Sequence, residues 1–117
     1  MFRALRTDFD AAARRLQADP GEDPARQGYY ALVARLDAAI DAAAANPYLA
    51  QALGNVRLHL ARVRRLAKDN PARLRDTAAE HSAIAGAIAA GNPGIAAAAT
   101  AVHLHKSLEH FNTVYQP

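Results

Sequence analysis

The 117-residue chain contains no cysteine, so disulfides and thiolate-bound metal sites are excluded. The same absence fits a reducing compartment. No apolar run approaches the roughly 20 residues that a membrane-spanning helix needs. The first residues, Met1-Phe2-Arg3-Ala4-Leu5-Arg6, put charges where a signal peptide would carry its apolar stretch, and a cytoplasmic location with no membrane partner is expected. Strand signals are also missing. Alanine dominates and β-branched residues are sparse, which favours helix nearly throughout. Aromatics are few, and none interleaves with the cationic cluster Arg57, Arg62, Arg64, Arg65 and Lys68. The net charge of +3 would admit a nucleic-acid partner. However, these cations are spread around most of a helix circumference and have no stacking platform for bases beside them. A solvated, salt-bridged surface is the reading they support.

What is present is regular punctuation. Asp23-Pro24, Asn46-Pro47, Asn70-Pro71 and Asn92-Pro93 each read as a helix start. The Asp or Asn side chain accepts an orphan N–H at the N-cap, and proline fills the first helical position, where its missing N–H costs nothing. Gly91 suits the left-handed residue that closes the preceding helix. An earlier helix is expected to begin near Thr7, with Asp10 completing an imperfect capping box, and to stop by Asp19-Pro20-Gly21. The expected helices span about 5–18, 24–45, 47–68, 71–90 and 93–115, and short connections make them an all-α, antiparallel, up-and-down bundle. Residues 1–117 suffice for one domain with a real core. Its candidate core stripes are Tyr29, Val33, Leu36 and Ile40; Leu49, Leu53, Val56, Leu60 and Val63; Leu74, Ile84 and Ile88; and Leu104, Leu108, Phe111 and Tyr115.

Several polar residues fall where apolar ones belong. His81 is one heptad from both Leu74 and Ile88, so it points inward and needs a partner. Asp37 lies inside the Val33–Leu36–Ile40 stripe. His81 precedes Gly91 by ten residues and His103 follows Pro93 by ten. In an antiparallel pair rising about 1.5 Å per residue, both imidazoles reach one depth, about 15 Å from the turn. Spacing alone does not choose between His103 and His105, which flank the stripe of the last helix, and His59 lies at a compatible depth. His110 reads as a surface or end-of-bundle residue. One carboxylate and two imidazoles at one level would suit Zn²⁺, Ni²⁺, Fe²⁺ or Mn²⁺ with open coordination positions. A plain Asp37–His81 hydrogen bond would satisfy both groups without metal.

At these residues the chain resembles the FCD domain, the FadR C-terminal-type effector-binding domain of GntR-family transcription regulators. The resemblance rests on Leu36-Asp37-Ala38-Ala39-Ile40, Asn46-Pro47-Tyr48-Leu49, Glu80-His81-Ser82-Ala83-Ile84, Ala87-Ile88, Gly91-Asn92-Pro93 and His103-Leu104. It implies a helical bundle around a central cavity. There a divalent metal is held by an Asp-x-x-x-His pair and two later histidines, and a small carboxylate such as a hydroxy acid or sugar acid binds beside it. By position the later histidines are His81 and His103, which selects His103 over His105. The Asp-x-x-x-His pair falls on Val33 and Asp37, so the first ligand is lost and the second has become aspartate. The expected metal set is therefore Asp37, His81 and His103, with Tyr30, Val33, Arg57 and His59 beside the effector. No winged helix-turn-helix corresponds to any part of the chain, and the first helix of the family's domain is expected to be missing. Direct binding of operator DNA is not expected, whereas a homodimer is.

Three other functions compete. Two histidines and a carboxylate also describe a non-haem iron oxygenase, but no other substrate-activating constellation accompanies them. A histidine-phosphotransfer module would need His-x-x-Lys-Gly, and after His103 and Lys106 comes Ser107. A ligand-free dimerisation bundle is the third.

Overall fold

The computed structural model describes residues 1–115, the side chain of Tyr115 excepted. Leu5, Phe9, Ala12 and Leu16 recur at helical spacing and are all buried along α1 (Phe2–Ala18). Four further helices follow: α2 (Gln27–Ala44), α3 (Pro47–Arg65), α4 (Pro71–Ala89) and α5 (Pro93–Tyr115). All regular structure among the described residues is helical, as composition predicts. No helix among them is long and apolar enough to cross a membrane.

The Asn-Pro pairs start helices as predicted. Asn46 Oδ1 accepts from the N–H groups of Tyr48 and Leu49, each at 3.1 Å. Asn70 Oδ1 accepts from Arg73 N–H at 3.1 Å, and Asn92 Oδ1 from Ile95 N–H at 3.0 Å. Gly91, at φ 70°, closes α4. Its N–H donates to the Ile88 carbonyl and that of Asn92 to the Ala87 carbonyl, both at 3.0 Å, the pairing of a Schellman motif.

The first two helices start elsewhere than expected. Thr7 lies inside α1, its hydroxyl donating to the Arg3 carbonyl at 3.1 Å instead of capping. Pro24 sits in a turn before α2, and Asp23 Oδ2 accepts from Gly28 N–H at 3.0 Å. Arg26, a non-glycine residue at φ 57°, makes the entry to α2. Its buried guanidinium donates to the Lys68 carbonyl at 2.8 Å and the Pro20 carbonyl at 2.6 Å. Those two bonds offset a backbone cost on the order of 1–3 kcal/mol.

The core also differs from the expected stripes. α1 packs most extensively on α4, α4 on α5, and α1 on α2. Small Ala12, Ala39, Ala78 and Ala85 are buried and let the backbones approach, so α1, α2 and α4 close most of the core among themselves. α3 buries no side chain fully. Leu49 and Val56 on α3, and Leu104 and Leu108 on α5, are exposed, while Leu53, Leu60, Val63 and Phe111 are half-buried. Tyr115, expected in the same stripe, has its side chain outside the described residues.

Candidate functional site

α4 supplies most of the site. Arg73, Thr77 and Glu80 recur at i, i+4 and i+7, which stacks them on one face, with His81 next to the row. His103, Ser107 and His110 repeat the same spacing on α5. The two rows meet. The His81 and His103 rings lie 4.4 Å apart between centroids, and both residues are buried. Phe9, wholly buried on α1, packs its ring 5.0 Å from that of His81.

Hydrogen bonding fixes the state of each ring. The Thr77 hydroxyl donates to the Leu74 carbonyl at 2.8 Å, so its oxygen is left to accept from the adjoining Tyr29 hydroxyl. The Tyr29 oxygen, 3.2 Å from His81 Nδ1, then accepts from that nitrogen. Burial pushes the Tyr29 phenol above its ordinary range, so it keeps its proton for this chain. His103 Nδ1 donates to Glu80 Oε1 at 2.6 Å. With both Nδ1 atoms carrying hydrogen, Nε2 of each ring holds the lone pair for a ligand.

Burial is also the largest cause that lowers the His81 pKa, well below the usual imidazole value, with His103, Arg64 and Arg73 adding to it. The His103 pKa is lowered by burial first, against the opposing pull of Glu80. Both rings are therefore neutral at neutral pH.

Two arginines complete the polar lining. Arg73 grips Glu80 through NH1 at 3.1 Å and NH2 at 3.2 Å, and NH2 also donates to Ser107 Oγ at 3.1 Å. Arg64 NH1 is 3.3 Å from Asp37 Oδ2. Arg64, Arg73, His81, His103 and Ser107 border a cavity of about 80 Å³, with Tyr30, Val33 and Leu60 among its apolar walls. Tyr30, Val33 and Arg64 also border an adjoining groove of about 420 Å³, where Asp37, Asp41 and Arg57 lie.

The structure thus brings His81 and His103 together but not Asp37 with them. Asp37 faces Arg64 and, at 3.7 Å, Arg57, which binds Asp41 at 2.6 Å. Val33 and Tyr30 line the cavity, Arg57 lines only the groove, and His59 is exposed. His105 is exposed and pairs with Glu109 at 2.8 Å. His110, read as a surface or end-of-bundle residue, lines the cavity, and its buried Nε2 has no hydrogen-bond partner. Glu80, Arg73, Arg64, Thr77, Tyr29 and Ser107 did not emerge from the sequence as site residues. The rows 73-77-80 and 103-107-110 were the available signal for four of them.

A divalent ion held by Asp37, His81 and His103 does not fit this arrangement. The imidazoles offer two nitrogen donors, but the third group is engaged by guanidinium ions. Among the described residues no group of three or more His, Cys, Asp or Glu is placed to hold a metal.

An all-α bundle whose helices border a small, mostly apolar cavity with arginine and histidine side chains among its walls is an architecture that can house a ligand. The family model described as FCD domain matches residues 3–106, and the chain belongs to that family. FCD domains are the effector-binding, ligand-sensing domains of GntR-family transcription regulators. No curated protein and no solved structure matches the chain.

Proposed function

We propose that this cytoplasmic domain senses a small carboxylate metabolite in the cavity between α2, α3, α4 and α5. The observation that carries the reading is that two arginines and two neutral histidines border one otherwise mostly apolar cavity, each imidazole keeping an Nε2 lone pair. Guanidinium groups match a carboxylate in charge and geometry. A neutral imidazole accepts a hydrogen bond from a hydroxyl, so a hydroxy acid satisfies both kinds of group at once. Ligand binding shifts the population of regulator states through its different affinity for each. DNA contact belongs to another part of such a regulator, since this fold presents no recognition helix for a groove.

The test is a thermal-shift and calorimetric screen of short hydroxy acids and their deoxy analogues. A true ligand at a hundred times its Kd stabilises the fold by about 2.7 kcal/mol. His103→Gln should weaken binding of the hydroxy acid more than that of its deoxy analogue. Absence of any carboxylate-induced shift defeats the proposal.

The same reading includes a homodimer. Val56 and Leu58 on α3 and Val102, Leu104 and Leu108 on α5 are about half or more exposed, and exposed apolar side chains gathered in one patch mark protein–protein contact surfaces. Light scattering should give twice the chain mass, and Leu108→Glu should shift the protein toward the monomer. A wild-type monomer at high concentration argues against it.

A further inference from the structure

We propose that the cavity takes its anion without a metal ion, and that Asp37 is an internal competitor which the ligand displaces from Arg64. This rests on the carboxylate-sensing reading above and specifies how the charge is supplied.

The charge of each cavity arginine is already answered from within the chain. Glu80 holds Arg73 through two hydrogen bonds and also accepts from His103, and both members of that ion pair are almost fully buried. Arg64 is held differently. One nitrogen reaches Asp37 at 3.3 Å, and the two side chains keep 30% and 20% of their surface exposed. A long, partly solvated pair of this kind contributes little, so an incoming carboxylate can compete for the guanidinium. Asp37 itself is not abandoned on exchange, because Arg57 remains 3.7 Å away and is anchored by Asp41.

Position makes Arg64 the exchange point. It borders both the cavity and the Asp37 groove, so a modest side-chain rotation carries its charge from one to the other. The cavity, at about 80 Å³, is smaller than a cavity of roughly 150 Å³ that accepts benzene. It suits an anion of a few heavy atoms. A larger acid needs Arg64 to move, which joins the cavity to the groove.

The roles of Asp37 in the two schemes have opposite consequences. As a metal ligand, its loss weakens ligand binding. As a competitor for Arg64, its loss strengthens it.

The experiment uses the full chain, stripped with EDTA and dialysed, titrated calorimetrically with lactate and with malonate. Both titrations are repeated after adding Zn²⁺, Ni²⁺ or Mn²⁺. At least one probe should bind the stripped protein, with an affinity that added metal changes less than twofold. Asp37→Asn should tighten binding severalfold, and Arg64→Gln should weaken it about tenfold, equivalent to 1.4 kcal/mol. Binding only after metal is restored overturns this proposal and leaves the sensing function standing. Weaker binding by Asp37→Asn, with circular dichroism showing it folded, also overturns it. Failure of both probes to bind with or without metal sinks the proposal together with the carboxylate reading. The wild-type chelation arm stands even if a variant misfolds.

Discussion

Histidine is the side chain whose ordinary pKa, about 6.5, lies closest to neutrality, and two of them are buried here as neutral rings. Because burial depresses both pKa values, the folded chain binds fewer protons than the unfolded one in mild acid. Well above pH 6.5, from about pH 7.5 upward, both states are neutral at these positions and no penalty exists. As pH falls below that value, protons bind preferentially to the unfolded chain, and stability declines until the folded-state values are reached. The urea midpoint should therefore drop between about pH 7.5 and 5.5, and His81→Gln should flatten the drop. An unchanged slope in that variant would show that other groups govern it. At this scale the sequence made His81 legible as an inward-facing polar residue through its heptad relation to Leu74 and Ile88. Asp37 misled, because a stripe fixes the face of a helix but not which cation waits opposite; Arg57 and Arg64 both stood there. Glu80 was hidden for a related reason. Its worth lies in joining Arg73 on its own helix to His103 on the next, and no local pattern encodes a contact between helices.

Helix ends provide the second scale. Both Gly91 and Ala45 adopt left-handed backbone after a helix, at φ 70° and 51°, each just before an Asn-Pro pair. Glycine meets that conformation without steric cost, whereas alanine does not. Ala45→Gly should raise stability by roughly 0.5–1 kcal/mol, and Gly91→Ala should lower it by at least as much. Chemical denaturation of the two variants checks the pair, and equal signs would refute the backbone explanation. Three helix starts were readable because Asn and Pro act within one turn of their own position. The α2 start was not, because Arg26 is held by carbonyls at Pro20 and Lys68, the latter 42 residues away. Periodicity likewise located amphipathic stripes on α3 and α5 but could not say that alanine-rich α1, α2 and α4 would fill the core first. Phe9, the largest side chain buried without residue, entered no expected stripe.

At the scale of the molecule, α1, α2 and α4 hold most of the buried core, flanked by α3 and α5 with less buried surface. The radius of gyration is 14.1 Å, close to the roughly 13.4 Å expected for a compact domain of this length. The site uses this division: α4 and α5 hold His81, His103, Arg73 and Glu80 in one network, while Arg64 projects from α3, which buries no side chain fully. An exchanging cation is thus placed on the helix that can shift at least cost.

The Arg26 guanidinium has a consequence of another kind. It laces the connection before α2 to the connection after α3, the kind of tie between distant segments that secreted proteins often make with a disulfide. A covalent bridge would also restrain the unfolded chain. This noncovalent stitch does not, so its hold exists only in the native state and is released all at once when the domain opens.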